Sequence, residues 1–183
     1  MIWVLVLVAV VVGLLIWQFN RMVAMRRLTD NAWADVDVYL KRRAELVPNL
    51  VETVKGAAAF ESSTFQEVAA ARSQSLASST FSPDRQATES VISHGMIRAL
   101  ALAESYPDLK AGANFLNLQH ELSNNERLIA DSRQYFNACV RDYNTMIESF
   151  PANLVANFGG FKAREFFEVD STEDRIAPHV EGL

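Results

Sequence analysis

FLNLQHELSNNERLIADSRQYFNACVRDYNTMIESF, residues 115–150, carries the most regular helical pattern in the chain. Its seam residues recur alternately three and four positions apart, which is the spacing of a helix that packs along most of its length. Asn125 and Ser132 occupy two of these positions, where polar residues fix register at some loss of stability. Pro151 follows directly and ends the helix. The seam consists of Phe115, Leu118, Leu122, Asn125, Ile129, Ser132, Phe136, Cys139, Tyr143, Met146 and Phe150.

The N-terminal run IWVLVLVAVVVGLLIW, residues 2–17, carries no charged side chain. A helix that crosses a membrane needs about 20 mainly apolar residues, and Trp3 and Trp17 suit its two interfaces with water. A cleaved secretory signal is the alternative, but no positive region precedes the run and WQFNR follows it in place of small residues. We therefore predict a transmembrane anchor at residues 1–20.

Arg21, Arg26 and Arg27 follow this anchor with no acidic residue among them. The positive-inside rule then places the N-terminus outside and the main domain in the cytoplasm. No proline precedes Pro48, so one helix should run from the membrane into the domain and kink just before that residue.

Apolar residues beyond the anchor form a second stripe, from Trp33 to Val54, that is interrupted at Arg43. A cation within such a stripe needs a carboxylate beside it. Lys41, Arg42 and Arg43 are adjacent, and three consecutive helical residues spread over about 200° of the helix circumference rather than forming one flat basic face. They are either a solvated collar or a contact for a partner or for anionic lipid headgroups.

A serine-rich turn, SLASSTFSP at residues 75–83, separates two further helices. Ser82 followed by Pro83 predicts a helix start, and that helix should end before Pro107. Turns at these places make successive helices antiparallel. We therefore predict an all-α fold in which the transmembrane helix continues into an elongated antiparallel long-helix bundle at residues 21–150. Residues 151–183 form a Phe-rich C-terminal segment and an acidic tail.

The Phe-rich segment has two interpretations. Its aromatic residues pack back onto the end of the bundle, or they form an exposed patch that meets another subunit, a partner or the membrane surface. Our candidates for contacts between subunits are Phe158, Phe161, Phe166 and Phe167.

The common signatures of phosphate loops, dinucleotide sites, zinc proteases and serine hydrolases do not occur in the sequence. His94, His120 and His179 lie far apart, and Cys139 falls on the seam as a small core residue. The formal net charge of −5 argues against nucleic-acid binding. We expect no catalytic activity, cofactor, metal or nucleic-acid partner, and we infer no small-molecule substrate.

Three separated segments carry a resemblance to a known family: LKRRAELVPNLVETVKG (40–56), ALAESYPDLKA (101–111) and RDYNTMIESFPANLVANFGGFKAREFFE (141–168). Together they resemble the LemA family of bacterial membrane proteins, from the anchor to about Glu168. The resemblance implies a single-pass helix in the bacterial inner membrane followed by a long-helix domain, with no established reaction or cofactor. Some relatives take part in magnetosome formation, and others are found alongside membrane proteases. Lys162-Ala163 departs from the family, in which proline often follows the lysine.

These observations lead to one hypothesis and one alternative. The hypothesis is a non-enzymatic, inner-membrane-anchored helical protein that forms homo-oligomers and so builds a membrane-associated scaffold. The alternative is a monomeric or dimeric adaptor that docks to a membrane protease or sensor through residues 41–43.

Overall fold

The computed structural model describes residues 1–55 and 62–168, and within them the chain forms α-helices and no strand. The all-α prediction is therefore confirmed. The part of the acidic tail from residue 169 onward, with His179, lies outside the described residues. The helices are α1 (Ile2–Lys55), α2 (Ser62–Ala77), α3 (Pro83–Glu104), α4 (Pro107–Lys110), α5 (Ala113–Glu148) and α6 (Ala152–Gly159).

The chain divides into two compact units. The first unit comprises Met1–Leu46 and Asn117–Phe166, and the second comprises Val47–Leu116 and the chain from Phe167 onward. Helix α1 contributes to both units because it continues through Pro48 to Lys55.

Helices α1 and α5 run antiparallel in the first unit. The Thr29 hydroxyl donates to the Cys139 carbonyl oxygen at 3.5 Å, and the Asn125 amide donates to the Tyr39 carbonyl oxygen at 3.1 Å. Partner numbers on α5 fall as those on α1 rise, which is the mark of antiparallel packing. The seam prediction is confirmed for most of its length, since its buried members include Leu118, Leu122, Asn125, Ile129, Phe136, Cys139 and Tyr143.

Phe150 is the exception to the predicted seam, because 81% of it is exposed. Helix α5 ends at Glu148, and the chain then turns into α6, so Phe150 no longer lies on the helix face that packs. The inner face of α6 instead joins a core cluster. That cluster contains Met22, Tyr143, Ile147, Ala152, Val155, Ala156 and Phe161.

The residues after α6 turn back along α5. Gly160 caps α6 in the left-handed region at φ 67°, a conformation that glycine adopts without a Cβ clash. Asn144 then holds the backbone of Arg164 twice, accepting from its N–H at 2.9 Å and donating to its carbonyl oxygen at 2.8 Å. The Arg164 guanidinium pairs with Asp30 at 2.6 Å. These bonds fix residues 161–164 against the first unit.

In the second unit, α2 and α3 form an antiparallel hairpin. The hydroxyl of Ser75 donates to Glu89 at 2.6 Å. Nearer the start of α2, the side chain of Val68 packs against Gly95, which lies further along α3. The predicted start of α3 is confirmed, since the Ser82 side chain accepts the Arg85 backbone N–H and Pro83 is the first helical residue.

Candidate membrane-facing site

Residues 2–17 of α1 are exposed along their whole length. The first residue of α1 that is buried in the first unit is Met22, which is fully buried. Among the described residues, α1 alone is long and apolar enough to cross a membrane. Exposed apolar surface of this extent indicates that lipid or another protein surrounds it, because contact between apolar side chains and water is unfavourable.

Aromatic and cationic side chains meet where the apolar stretch ends. The Arg21 guanidinium lies 5.6 Å from the centre of the exposed Trp17 ring, and the Arg26 guanidinium lies 5.4 Å from that of Phe161. Arg27 is exposed one residue later. A belt of tryptophan followed by arginine is typical of a helix that leaves the bilayer. Trp3, at the other end of the stretch, is also exposed.

Helix α6 lies beside this end of the apolar stretch. The Phe161 ring meets the Phe19 ring edge to face, with centroids 5.4 Å apart. A Cβ placed on Gly159 would lie 3.0 Å from Phe19 Cε2 and 2.5 Å from Phe161 Cε2, so glycine permits this close approach. The C-terminal end of α6 therefore packs two residues beyond Trp17.

The outer side of α6 is apolar as well as its inner side. Phe150 is 81% exposed, Leu154 54% and Phe158 98%. Residues four apart in a helix point in nearly the same direction, so Leu154 and Phe158 share one face. We call Leu154 and Phe158 the outer face of α6; Phe150, which precedes the helix, is exposed as well.

A groove of about 580 Å³ lies beside Phe150 within the first unit. Its lining includes Arg21 and Met25 of α1, Arg141, Asp142 and Met146 of α5, and Phe150. Apolar side chains, two cations and one carboxylate therefore meet in the groove, and the excess of cations suits the boundary between acyl chains and anionic headgroups.

The three adjacent cations of α1 occupy three different environments. Lys41 pairs with Asp37 at 2.7 Å, and Arg42 is exposed. Arg43 is only 3% exposed and lies 3.4 Å from the Glu126 carboxylate. The expected carboxylate beside Arg43 is thereby confirmed. Burial and the charge of Arg43 lower the pKa of Arg133, while the charge of Glu126 opposes that shift.

The structure separates the four phenylalanines that the sequence offers as subunit contacts. Phe161 is buried in the core of the first unit, and Phe167 is buried with its ring centre 6.0 Å from that of Phe81. Both side chains are used inside the chain, so we withdraw them as subunit contacts. Phe158 and Phe166 are exposed and stay candidates.

The described residues contain no group of three or more side chains that could hold a metal ion. His94 and His120 are exposed, and Cys139 is buried. Burial raises the pKa of Tyr143, although nearby Arg164 and Arg26 act in the opposite direction.

The sequence reasoning missed a buried ion pair in the second unit. Arg85 donates to Glu89 at 2.7 Å, and both side chains are at most 3% exposed. Ser75 donates to the same Glu89 oxygen, and Arg85 also donates to the Ser78 carbonyl oxygen. The only sequence signal is an arginine four residues before a glutamate, a spacing that is usual on solvated helix faces.

A helix long and apolar enough to cross a membrane runs without a break into packed helices, which defines an all-α protein with an N-terminal candidate membrane span. The profile of the LemA family matches residues 32–181. The chain belongs to the LemA family.

Three relatives of this chain are named as magnetosome proteins. The chain is 28% identical to magnetosome protein MamQ of Magnetospirillum gryphiswaldense, over 97% of this chain and 75% of that protein. It is 27% identical to magnetosome proteins MamQ 1 and MamQ 2 of Paramagnetospirillum magneticum, over 86% of this chain and 67% of each relative.

Proposed function

We propose that this LemA-family protein is a non-enzymatic, membrane-anchored helical protein that self-assembles into a membrane-associated scaffold. The observation that carries the proposal is the continuity of α1. The same helix holds the exposed apolar stretch and, from Met22 onward, core residues of the first unit. An uninterrupted helix has no flexible joint at the bilayer, so the first unit is held at a fixed height above it.

The charges beside the span support an orientation. Arg21, Arg26 and Arg27 follow the apolar stretch directly, which favours a cytoplasmic location for both units and an external N-terminus. We propose the bacterial inner membrane as the location. The relatives named as magnetosome proteins support a role within a larger cellular structure.

Self-assembly requires an exposed contact surface. Phe166 is 42% exposed at a place where the backbone just before it is fixed by Asn144 and Arg164. An aromatic side chain on an immobilised segment loses little conformational entropy on binding, which favours it as a contact. We therefore propose Phe166 as a subunit contact.

The test is the native mass and particle shape of the full chain in mild detergent. We expect large particles from the native protein and a lower mass from Phe166→Ser at unchanged helicity. Tyr135→Ser is the matched control, because Tyr135 is an aromatic residue of similar exposure, 51%, on α5. A single small species from the native chain would overturn the scaffold.

The adaptor hypothesis makes the opposite prediction in native membranes. Arg42 is the exposed cation of residues 41–43 and is its candidate contact. Crosslinking there should give one dominant foreign partner if the chain is an adaptor, whereas a scaffold gives mainly links between copies of this chain.

A further inference from the structure

We propose that the outer face of α6 inserts into the membrane interface, as a second membrane contact beside the span of α1. The ligand is the lipid surface itself, at the boundary between headgroups and acyl chains in the leaflet where α1 leaves the bilayer. The inference rests on the membrane-spanning part of the proposed function and is independent of self-assembly.

The first argument is the level at which α6 lies. Phe161 directly follows the α6 cap and contacts Phe19, and Gly159 approaches Phe19 as well. Phe19 is two residues beyond Trp17, which corresponds to about 3 Å along a helix. The end of α6 is therefore next to the bilayer surface whenever residues 2–17 occupy the bilayer.

The second argument is the chemistry of the outer face. Its side chains, Leu154 and Phe158, are more than half exposed, although the opposite side of the same helix packs in the core. A helix that buries one side in protein and shows large apolar residues on the other matches interfacial helices, whose apolar side chains reach about 5–10 Å into the boundary region.

The third argument is the charge around α6. Arg21 and Arg141 line the groove beside Phe150, in which Asp142 is the one carboxylate. The exposed Lys162 follows α6 within three residues. Cations at the rim of an apolar surface favour anionic lipid headgroups over a purely apolar partner.

The fourth argument is continuity with the exposed apolar stretch of α1. Residues 2–17 extend about 24 Å along the helix axis, so a hydrocarbon core of about 30 Å would surround the whole stretch. Lipid that surrounds α1 up to Trp17 lies beside the C-terminal end of α6, since Gly159 and Phe161 pack against Phe19. A second copy of the chain would have to displace that lipid to cover the outer face.

The experiment is spin labelling of the full chain in phosphatidylcholine–phosphatidylglycerol nanodiscs. Each variant carries Cys139→Ala and one new cysteine. Phe158→Cys and Leu154→Cys report on the outer face, Val8→Cys on the span, and Arg127→Cys on an exposed site of α5. Asn157→Cys is the matched control, because Asn157 is an exposed residue of α6 about 100° away from Phe158 around the helix. We measure the collision rate of each label with two reagents, oxygen and a water-soluble nickel complex. Oxygen concentrates in the acyl chains, and the nickel complex stays in water.

We expect the ratio of oxygen to nickel collisions at positions 158 and 154 to be closer to that at position 8 than to that at position 127. Position 157 should give a lower ratio than position 158. Two independent reporters on the outer face keep the test valid if one label disturbs α6, which circular dichroism of that variant would reveal.

Three results would overturn the inference. Nickel collisions at 158 and 154 equal to those at 127 place the outer face in water. Immobile labels that neither reagent reaches place it under a second protein copy. A label at position 8 that nickel reaches shows that α1 does not span the bilayer, and the inference then fails together with the anchor, whereas the first two results leave the anchor intact.

Discussion

Arg43 is a buried cation that is paired with Glu126. Substitutions of these two residues should change the free energy of unfolding by different amounts. Glu126→Gln removes the carboxylate from beside a guanidinium that is 3% exposed. We expect the free energy of unfolding to fall by about 1–3 kcal/mol, below the usual loss for a buried pair because 39% of the Glu126 side chain is exposed. Arg43→Leu restores the apolar stripe and should change it by less than about 1 kcal/mol or raise it.

The measurement is urea unfolding in detergent, followed by circular dichroism. Asp131→Asn is the matched control, since Asp131 pairs with Arg127 at 3.8 Å and both side chains are about two-thirds exposed. An exposed pair of this kind should contribute less than about 1 kcal/mol. A larger loss from Arg43→Leu than from Glu126→Gln would show that the arginine contributes mainly by packing its stem.

Residues 41–43 also show what sequence reasoning can determine for single side chains. The apolar stripe of α1 identified Arg43 as an inward-facing cation, and Glu126 was found beside it. The stripe could not name Glu126, because the alignment of α1 with α5 depends on the connection between them. Arg85 and Glu89 were missed for a related reason, since the same spacing occurs on solvated faces and only the position of α2 buries the pair.

At the scale of the element, α6 depends on Gly159 for its position. Gly159→Ala places a methyl group against the rings of Phe161 and Phe19. These rings also pack edge to face against each other, so neither can move away without losing that contact. Overpacking of this kind typically destabilises by about 1–3 kcal/mol. We expect α6 to detach more often, which should increase tryptic cleavage after the neighbouring Lys162 by about 5- to 150-fold, the same free energy expressed as an equilibrium constant.

Gly13→Ala is the control for this substitution, because nothing lies within 4 Å of the added methyl group. Its cleavage rate after Lys162 should equal that of the native chain. An unchanged rate in Gly159→Ala would mean that the two rings move aside without disturbing α6.

The helices of this protein differ in how far their sequences specify them. The spacing of apolar residues predicted the packed face of α5, and Ser82 with Pro83 predicted the start of α3. Helix α6 was not predicted as an element, because both of its sides are apolar and eight residues are too few for a periodicity to stand out. The exposure of Phe158 beside the burial of Phe161 depends on the turn at Gly160, which a pattern of phenylalanines does not encode.

At the scale of the whole molecule, the division into two units predicts that they lose structure separately. Glu89→Gln removes the carboxylate that Arg85 and Ser75 contact in the buried network of the second unit. Loss of one partner from a buried ion pair typically destabilises by about 3–5 kcal/mol, which corresponds to an increase of about 100-fold or more in amide exchange. Helix α1 allows the two units to be compared within one element, because residues 47–55 belong to the second unit and residues 22–46 to the first.

Hydrogen exchange of the full chain, read by mass spectrometry, should therefore change within one continuous helix. In Glu89→Gln we expect faster exchange in residues 47–55 and 83–104, and native rates in residues 22–46 and 117–148. Glu67→Gln, the same substitution at an exposed position of α2, should leave all four segments unchanged. Equal acceleration of all four segments in Glu89→Gln would show that α1 couples the units into one cooperative structure, since a helix that frays at one end then transmits the loss to its whole length.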